Sequence, residues 1–597
     1  MKKLLLLALV AALALSSLLS CTNGETDETN ETNETNQTEE KTEEVTRLPA
    51  QDVSGEGFEF ALSEDKSYYI FSGKGTCADS KMTIPASFNG LSVKAIAENA
   101  FAACEGITEI TVSEGITSIG KGAFAYSKDL TKVTLPASLT EISERAFYEA
   151  SKLESVIFGG ATNKISDSAF ENCSALKAIS LPDSVKEIGA AAFYNCTALS
   201  DVKLGSSIER IGYSAFDLTA FSSNTQNWQD KTLYCGKYLL KVANDKADAL
   251  NVKDGTLLIA EQAAKRSAIS SVNFPSSLKY IGTAAFTACQ GLTEIKINEG
   301  ALSIGDNAFS SCDSLVSVDL PSTLQSIEAF AFYHCSALRE IVIPSGITKI
   351  ADQTFNECAS LESVTFHNKL TDIGVYSFAN CYSLQKIVFP ESLTTIGESA
   401  FYKCYNLLSI NLPKSLTKLS NWAFQHCQKL VDVKNESSLE IVADSKNTSN
   451  GYVGVYAKEI HNGDSKIVEQ DGFLFYTFDG KNYLMGYADM KNTELTLPED
   501  FGGKGYIIYK YAFSFRPNLQ KVTISAGATA INSNAFNTCD NFAELTVGKS
   551  ITTISQNAVN LCPAFNKLIF LGTEAEFNAI NLSATNALIH NAQKVYN

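Results

Sequence analysis

The chain has 597 residues, of which 45% are hydrophobic and 19% are charged, a composition typical of folded proteins. This length exceeds what a single ordinary globular core supports. The formal net charge of -18 argues against nucleic acid as a partner, because phosphate binding requires a basic face. With only five histidines and four methionines, the chain also has few residues for acid–base or metal chemistry.

The N-terminus has the pattern of a secretory signal. Lys2 and Lys3 form a short basic region, and residues 4–19 are apolar or small, a stretch too short for a stop-transfer helix. The sequence LLSC at residues 18–21 resembles a bacterial lipobox, in which the cysteine becomes the new N-terminus and carries acyl chains. Cys21 is therefore the predicted lipidation site. The alternative is an ordinary signal with an incidental cysteine.

Residues 22–44 have a composition typical of a tether. They contain nine acidic residues and one lysine among threonines and asparagines. Because almost no apolar side chain is available to bury, we expect this segment to be disordered and extended by charge repulsion. Such a tether would hold a folded domain away from a membrane surface.

A repeat of 23 residues dominates the rest of the chain. The dipeptide Ala-Phe, or a close variant, recurs at this step in three blocks, with sixteen recognisable copies. The copies end at Phe101, Phe124, Phe147, Phe170, Phe193 and Phe216, then at Phe286, Phe309, Phe332, Phe355, Phe378, Phe401 and Phe424, and finally at Phe513, Phe536 and the degenerate Val559.

Each copy predicts one short strand and one tight turn. Residues 338–344 follow the pattern Leu-x-x-Ile-x-Ile-Pro, in which the alternation indicates a half-buried strand that the proline ends. An isoleucine five residues before the phenylalanine leads into Ala-Phe-x-x-Cys, where Phe and Cys lie on one side of a helical or 3₁₀ turn. Neither element buries its apolar side alone, so the copies must stack into a solenoid with parallel strands.

These residues resemble the BspA-like, treponemal-type leucine-rich-repeat family of bacterial surface proteins. The matching pattern is L-x-x-I-x-I-P followed by I-G-x-x-A-F-x-x-C, and it extends from about Leu91 to Cys562. The resemblance implies a right-handed leucine-rich-repeat solenoid at the cell surface. It also implies adhesion to host matrix proteins or to other bacteria.

Three stretches interrupt the repeats, at residues 57–90, 227–254 and 471–505, each with a strand-turn-strand pattern. We interpret them as three copies of one hairpin unit, the first of which caps the core. Residues 572–580 predict a short amphipathic helix that covers the last coil. The predicted organisation is a signal peptide (1–20), an acidic tether (21–54), an N-terminal hairpin cap (55–100), a first repeat block (101–226), a hairpin insert (227–270), a second block (271–434), a linker with a hairpin insert (435–505), a third block (506–564) and a C-terminal cap (565–597).

Twelve cysteines lie three residues after the repeat phenylalanine, at 104, 173, 196, 289, 312, 335, 358, 381, 404, 427, 539 and 562. They have three interpretations, namely a disulfide ladder, a metal stack, or small buried thiols that fill a tight core. Other copies have Ser127, Ala150 and Thr219 at this place, which favours size over sulfur chemistry. The chain contains no C-x-x-C motif of the kind found in zinc sites. Free structural thiols are therefore predicted.

The sequence shows no catalytic constellation. His334 and His426 precede Cys335 and Cys427, but a cysteine that points inward turns its neighbour outward, so no Cys-His dyad is expected. Motifs for P-loops, zinc peptidases, serine hydrolases and EF-hands are missing. We therefore predict no enzyme activity, no cofactor and no metal site.

Six tyrosines beside the repeat motif are the candidate binding surface, namely Tyr148, Tyr194, Tyr333, Tyr382, Tyr402 and Tyr405. Tyrosine gives a large contact area at low entropic cost. The alternative is that these side chains shield the turns of adjacent coils.

The predicted protein is a lipid-anchored binding module, exposed on the outer surface of a bacterial cell envelope. Its predicted partner is an extracellular protein, and its role that of an adhesin or interaction scaffold. The alternative is a glycan-binding accessory lipoprotein of a nutrient-uptake system. Aligned aromatic side chains on one face would favour that alternative.

Overall fold

The computed structural model describes residues 57–446 and 448–597. These residues wind into a solenoid whose strands pair in parallel from coil to coil, as predicted. The predicted signal peptide, Cys21 and the acidic tether lie outside the described residues.

Each coil contributes strands to two faces of the solenoid. The long-strand face contains Lys81–Ile84, Glu109–Val112, Lys132–Thr134, Ser155–Ile157, Ala178–Ser180, Asp201–Lys203, Leu250–Asn251, Val272–Asn273, Glu294–Lys296, Ser317–Asp319, Glu340–Val342, Ser363–Thr365, Lys386–Ile387, Ser409–Leu412, Asp432–Asn435, Glu459–His461, Glu494–Thr496, Lys521–Ile524, Glu544–Val547, Lys567–Phe570 and Gln593–Tyr596. The short-strand face contains Leu91–Ile96, Ser118–Ile119, Glu141–Ile142, Lys164–Ile165, Glu187–Ile188, Arg210–Ile211, Leu258–Ile259, Tyr280–Ile281, Ser303–Ile304, Ser326–Ile327, Lys349–Ile350, Asp372–Ile373, Thr395–Ile396, Lys418–Leu419, Tyr506–Ile508, Ala528–Ile531, Thr553–Ile554 and Asn581–Leu582.

The remaining elements are short. The other strands are Glu59–Leu62, Tyr69–Gly73, Ser87–Phe88, Trp228–Gln229, Thr232–Cys235, Tyr238–Val242, Val468–Gln470, Phe473–Phe478, Lys481–Tyr487, Phe536–Asn537 and Val559–Asn560. Within residues 57–446 and 448–597, the helices are Ala220–Ser223, Val453–Tyr456, Glu574–Asn578 and Ala587–Asn591, and the 3₁₀ turns are Thr225–Asn227 and Asn450–Tyr452.

The second strand of each coil is an element that the sequence did not predict. In the strand Lys349–Ile350, the isoleucine is buried, and it lies opposite Ile373 of the next coil. A glycine often follows this isoleucine because the backbones of adjacent coils approach closely there. A Cβ atom on Gly374 would lie only 2.8 Å from the carbonyl oxygen of Ile350. The Ile-Gly pair therefore marks a strand and a close backbone approach.

The segment around each repeat phenylalanine, here called the turn stack, is not helical. Residues two before and two after Phe332 have positive φ, at 57° for Phe330 and 56° for His334, and the other copies repeat this pattern. The Phe332 N–H donates to Thr354 of the next coil at 2.9 Å, whereas the Cys335 N–H closes a local turn onto Phe332. The predicted helical or 3₁₀ turn is therefore wrong. Residues in the left-handed conformation interrupt any helix, and each costs roughly 1–2 kcal/mol. Backbone hydrogen bonds to the next coil offset this cost.

The repeat phenylalanine rings of the turn stack pile up on one another in three separate columns, one in each block. In the second block, neighbouring centroids from Phe286 to Phe424 are 5.1 to 5.6 Å apart, and the rings are within 13° of parallel. The first stack begins one step before the repeats, at Phe71 of the N-terminal hairpin. Between the first two stacks, Ala264 takes the phenylalanine position of one further coil, where Gln262 and Arg266 have the positive φ values of the motif. The sequence pattern missed this coil because it lacks the aromatic ring.

The three interruptions contain hairpins of one geometry. In each, an antiparallel pair with a register shift is followed by parallel pairing of its second strand with the next short strand. A single hydrophobic core runs through the first insert, from Phe60 to Ala457. A second core begins at the last hairpin and extends from Phe473 to Ala592. The second insert therefore separates two cores, whereas the first does not.

The predicted C-terminal helix is confirmed as Glu574–Asn578. Thr573 and Glu576 form a capping box at its N-terminus, and Phe577 is buried over the last coil. Among the described residues, none of the helices is long and apolar enough to span a bilayer.

Candidate binding surfaces

Four of the six predicted tyrosines lie directly after a repeat phenylalanine and are half-buried, namely Tyr148, Tyr194, Tyr333 and Tyr402. Three of them pack edge-on against another aromatic ring of the turn stack. Tyr148 contacts Tyr126, Tyr333 contacts Phe330, and Tyr402 contacts Tyr376, with centroids 5.5 to 6.4 Å apart. Their partners hold the left-handed positions of the motif, which sequence spacing alone did not single out.

The other two, Tyr382 and Tyr405, lie at a contact between the second and third blocks. Both rings stack on Phe515, with centroids 4.9 and 4.5 Å away. Burial raises the pKa of Tyr405 to about 12. These two tyrosines pack one block against another, which is a structural role.

Two buried cations, Lys429 and Arg516, complete this contact, here called the interblock junction. Gln385 and Asn406 of the second block also donate hydrogen bonds there, to carbonyls of the hairpin insert and of the third block. The Lys429 ammonium donates to the Asn406 side chain at 3.0 Å and to the Ala512 carbonyl at 3.1 Å. Burial, with the nearby Arg516, lowers the pKa of Lys429 well below its usual value. Arg516 donates to the Asp489 carbonyl at 2.9 Å. The Lys429 hydrogen bond thus joins the second block to the third, whereas the Arg516 hydrogen bond joins the third block to the hairpin insert.

The histidines adjacent to cysteines point away from them, as predicted. His334 lies at the surface, where its Nδ1 is 2.9 Å from an Asp313 carboxylate oxygen, whereas Cys335 is fully buried. No Cys-His dyad forms there. Over residues 57–446 and 448–597, no group of three or more His, Cys, Asp or Glu side chains is placed to hold a metal ion.

The repeat cysteines have a hydrogen-bonding role in addition to their small size. Eleven thiols donate to a backbone carbonyl of the preceding coil at 3.0 to 3.5 Å, those of Cys173, Cys196, Cys289, Cys312, Cys335, Cys358, Cys381, Cys404, Cys427, Cys539 and Cys562. In a copy without cysteine, the Ser127 hydroxyl donates to the Phe101 carbonyl at 2.9 Å. The position therefore favours a small side chain that donates a hydrogen bond. The sequence indicated only that the side chain is small.

The long-strand face of the second block exposes three apolar side chains, here called the valine patch. Val316, Val342 and Val388 are 40%, 61% and 58% exposed. Val342 and Val388 lie two coils apart with Thr365 of the intervening strand between them, and Val316 directly precedes the strand Ser317–Asp319. An ion pair between Arg339 and Glu362, 3.0 Å apart, joins the Val342 coil to the Thr365 coil. The patch thus combines β-branched apolar groups with fixed charges on one face of the solenoid.

The short-strand face of the second block contains an open groove of about 550 Å³. We name it the short-face groove. Gly374 and Gly397 lie in its floor, where they pack on the preceding backbone. Its polar lining comes from Asp352, Asp372, Thr395, Glu398, Lys418 and Asn421. Carboxylates and one ammonium group thus converge on a shallow surface that spans four coils.

Comparison with known proteins supports the repeat assignment. The family profile described as the BspA type leucine rich repeat region matches six copies, at residues 94–222, 258–382, 348–446 and 493–586. No curated protein matches the chain significantly.

Several solved structures are similar in sequence over long stretches. A leucine-rich repeat protein from Bacteroides ovatus is 26% identical, with 64% of this chain and 94% of that chain covered and a TM-score of 0.31. One from Eubacterium ventriosum is 24% identical over 62% and 95% of the two chains, with a TM-score of 0.30. A leucine-rich cell surface protein from Faecalibacterium prausnitzii is 18% identical over 89% and 97%, with a TM-score of 0.21.

The matched ranges of the family profile cover more than half of the chain. Within them, the described residues form stacked coils with a buried aromatic residue in most copies. Leucine-rich repeats are an architecture whose extended surfaces serve binding. The chain belongs to the BspA-type leucine-rich repeat family.

Proposed function

We propose that this protein is a surface-anchored bacterial binding protein that engages an extracellular protein through the valine patch. The observation that carries the proposal is the exposure of Val342 and Val388, at 61% and 58%, on the two coils that flank Thr365 on the long-strand face. Exposed apolar groups that lie close together within a polar rim mark protein interaction sites more often than scattered ones do. A host matrix protein or another bacterial surface protein would meet this requirement.

The surroundings of the patch favour a macromolecule over a small ligand. The outward side chains of the long-strand face alternate with core residues, and Glu340 and Lys386 are exposed beside the valines. A protein partner covers about 800 Å² on each side of a typical interface, which the long-strand face supplies over several coils. Apolar groups in the centre and charges around them match the organisation of such interfaces.

The test is a double substitution in the patch. Val342→Asp with Val388→Asp places two charges in the proposed interface, and we expect binding to weaken by at least about tenfold, since a buried unpaired charge is costly. The measurement is surface plasmon resonance of the purified chain against immobilised matrix proteins, such as fibronectin, laminin and collagen. Both valines point to solvent, so the thermal unfolding midpoint should be unchanged.

Ile157→Asp is the matched control. Ile157 is 48% exposed on the same face but lies in the first block. Binding that survives the double substitution, or that Ile157→Asp weakens equally, contradicts the assignment of the patch. Absence of binding to every matrix protein in the panel contradicts the host-matrix form of the proposal.

The proposed anchor is an acylated Cys21. It rests on the basic, apolar and lipobox segments at residues 2–21 and on the acidic segment that follows. Cys21→Ser should release the protein from membranes in the native host and abolish incorporation of labelled fatty acid. Cys77→Ser, at another cysteine, should do neither. Unlabelled wild-type protein, or a Cys21→Ser protein that stays with the membrane, would refute the anchor.

A further inference from the structure

Aromatic and polar residues alternate along one edge of the second block. The position two residues before the repeat phenylalanine holds Phe330, Gln353, Tyr376, Ser399 and Trp422 in five successive coils. All five have positive φ, between 52° and 59°. Equivalent backbone conformations direct these side chains along one line. The aromatic members, here called the aromatic strip, therefore recur at every second coil.

The spacing of the strip follows from the underlying ring stack. Each coil from Phe332 to Phe424 advances the phenylalanine centroids by 5.1 to 5.6 Å, so the aromatic residues of the strip recur after about 10 to 11 Å. Tyr402 contacts the Tyr376 ring edge-on, with centroids 6.4 Å apart, which restrains that ring. Trp422 is 44% exposed. The strip is thus ordered, periodic and open to solvent at its C-terminal end.

The fold does not require aromatic side chains at these places. The same position in the first block has Asn99, Arg145, Ser168, Ala191 and Ser214, with the same positive φ. A bulky side chain in the left-handed conformation is unfavourable compared with asparagine or glycine. Retention of three aromatics at a position that tolerates small polar residues points to binding.

The polar groups needed beside an aromatic platform are also present. Tyr376 directly follows Gly374 and Val375, and Trp422 directly follows Ser420 and Asn421, all of which line the short-face groove. The groove therefore borders the strip at the coils of Tyr376 and Trp422. Its carboxylate, hydroxyl, amide and ammonium groups can accept and donate hydrogen bonds to a polyhydroxylated chain.

We propose that the aromatic strip and the short-face groove together bind an unbranched, neutral β-1,4-linked glycan. Sugar rings present C–H faces that stack on aromatic rings, while their hydroxyls require hydrogen-bond partners. In an extended β-1,4-linked chain successive rings turn over, so equivalent faces recur at every second sugar, close to the two-coil spacing. The carboxylates of Asp352, Asp372 and Glu398 disfavour polyanionic glycans. This site lies apart from the valine patch and does not depend on the proposed protein partner.

The test compares oligosaccharides of equal length and different linkage. Cellohexaose and mannohexaose, both β-1,4-linked, are titrated calorimetrically into the purified full-length chain, with maltohexaose as the α-1,4-linked comparison. We expect the β-linked probes to bind at least about tenfold more tightly than maltohexaose, because the α-linked chain curves away from a straight strip. Tyr376→Ala and Trp422→Ala should each weaken this binding by about tenfold.

Tyr126→Ala is the matched control. Tyr126 is also an aromatic residue with positive φ and is 45% exposed, but it lies in the first block. It should leave glycan affinity unchanged, and Trp422→Tyr should restore most of what Trp422→Ala loses. The proposal is overturned if neither β-linked probe binds, if maltohexaose binds equally well, or if the Tyr376→Ala, Trp422→Ala double variant keeps wild-type affinity. An unchanged thermal unfolding midpoint shows that a variant is folded, so that a change in its glycan affinity reflects the binding site. The outcome of the matrix-protein experiment does not affect this test.

Discussion

Phe309→Ala is expected to lower the free energy of unfolding of its block by about 3–5 kcal/mol, the range of large truncations in packed cores. The Phe309 ring is fully buried. It lies 5.2 Å from the Phe286 centroid and 5.5 Å from the Phe332 centroid, nearly parallel to both. Its removal leaves a cavity between two coils and breaks the stack on both sides. Urea unfolding followed by circular dichroism measures the loss.

The damage from this substitution should stay local. Away from the interblock junction each coil contacts only its neighbours, so stability there is approximately a sum of repeat and interface contributions. Native-state hydrogen exchange should show lost amide protection in coils next to Phe309 and little change around Phe536, which lies in the other core. Tyr126→Ala, which removes a partly exposed ring, should cost far less. Uniform loss of protection in both cores would contradict nearest-neighbour stabilisation.

The second large effect is expected from pH. Burial raises the pKa of Cys289 and of Cys358 from about 9 to about 12. The thiols therefore stay protonated in the folded chain at a pH where the unfolded chain ionises them. Their stabilisation is complete below about pH 9 and is lost as the pH rises towards 12. Within this window, each such thiol lowers the free energy of unfolding by roughly 1.4 kcal/mol for every unit by which the pH rises.

Serine substitutions isolate the contribution of the thiols. A hydroxyl does not titrate in this range, and Ser127 shows that serine makes the same hydrogen bond. Burial raises the pKa of Cys335 and Cys381 as well. The triple variant Cys335→Ser, Cys358→Ser, Cys381→Ser should therefore reduce the alkaline slope of unfolding free energy by about 4 kcal/mol per pH unit. Urea unfolding between about pH 8 and about pH 11, with reductant present, measures the slope. An unchanged slope would show that lysine and tyrosine titration accounts for the alkaline loss.

Thiol counting completes this experiment. Denatured wild-type protein, kept without reductant, should react with a thiol reagent at most of the twelve repeat cysteines. In the folded protein the same reaction should be slow, because burial suppresses the reactive thiolate. Six disulfides per chain would contradict the packing role assigned to the thiols.

The sequence predicted the repeat, the parallel stacking and the inward phenylalanines. It could do so because each coil must bury the same residues as its neighbour, so a packing requirement of the fold is repeated along the chain. Cys335 and His334 illustrate this, since the inward position of one fixes the outward position of the other. The sequence pattern did not identify the coil of Ala264 because its motif lacks the phenylalanine, although its backbone pairs with the next coil in the same way.

The candidate binding surfaces could be identified only from the tertiary structure. Spacing placed Tyr382 and Tyr405 beside the motif, but only the fold brings Phe515, more than a hundred residues later, into contact with them. Spacing likewise gave no reason to single out Phe330, Tyr376 and Trp422, because their common direction follows from a left-handed backbone that the helical prediction did not contain. The sequence by itself determined which residues are buried, because burial repeats with every coil. Tertiary structure decided which remaining residues are exposed, because contacts between distant coils and between blocks occur once and leave no period in the sequence.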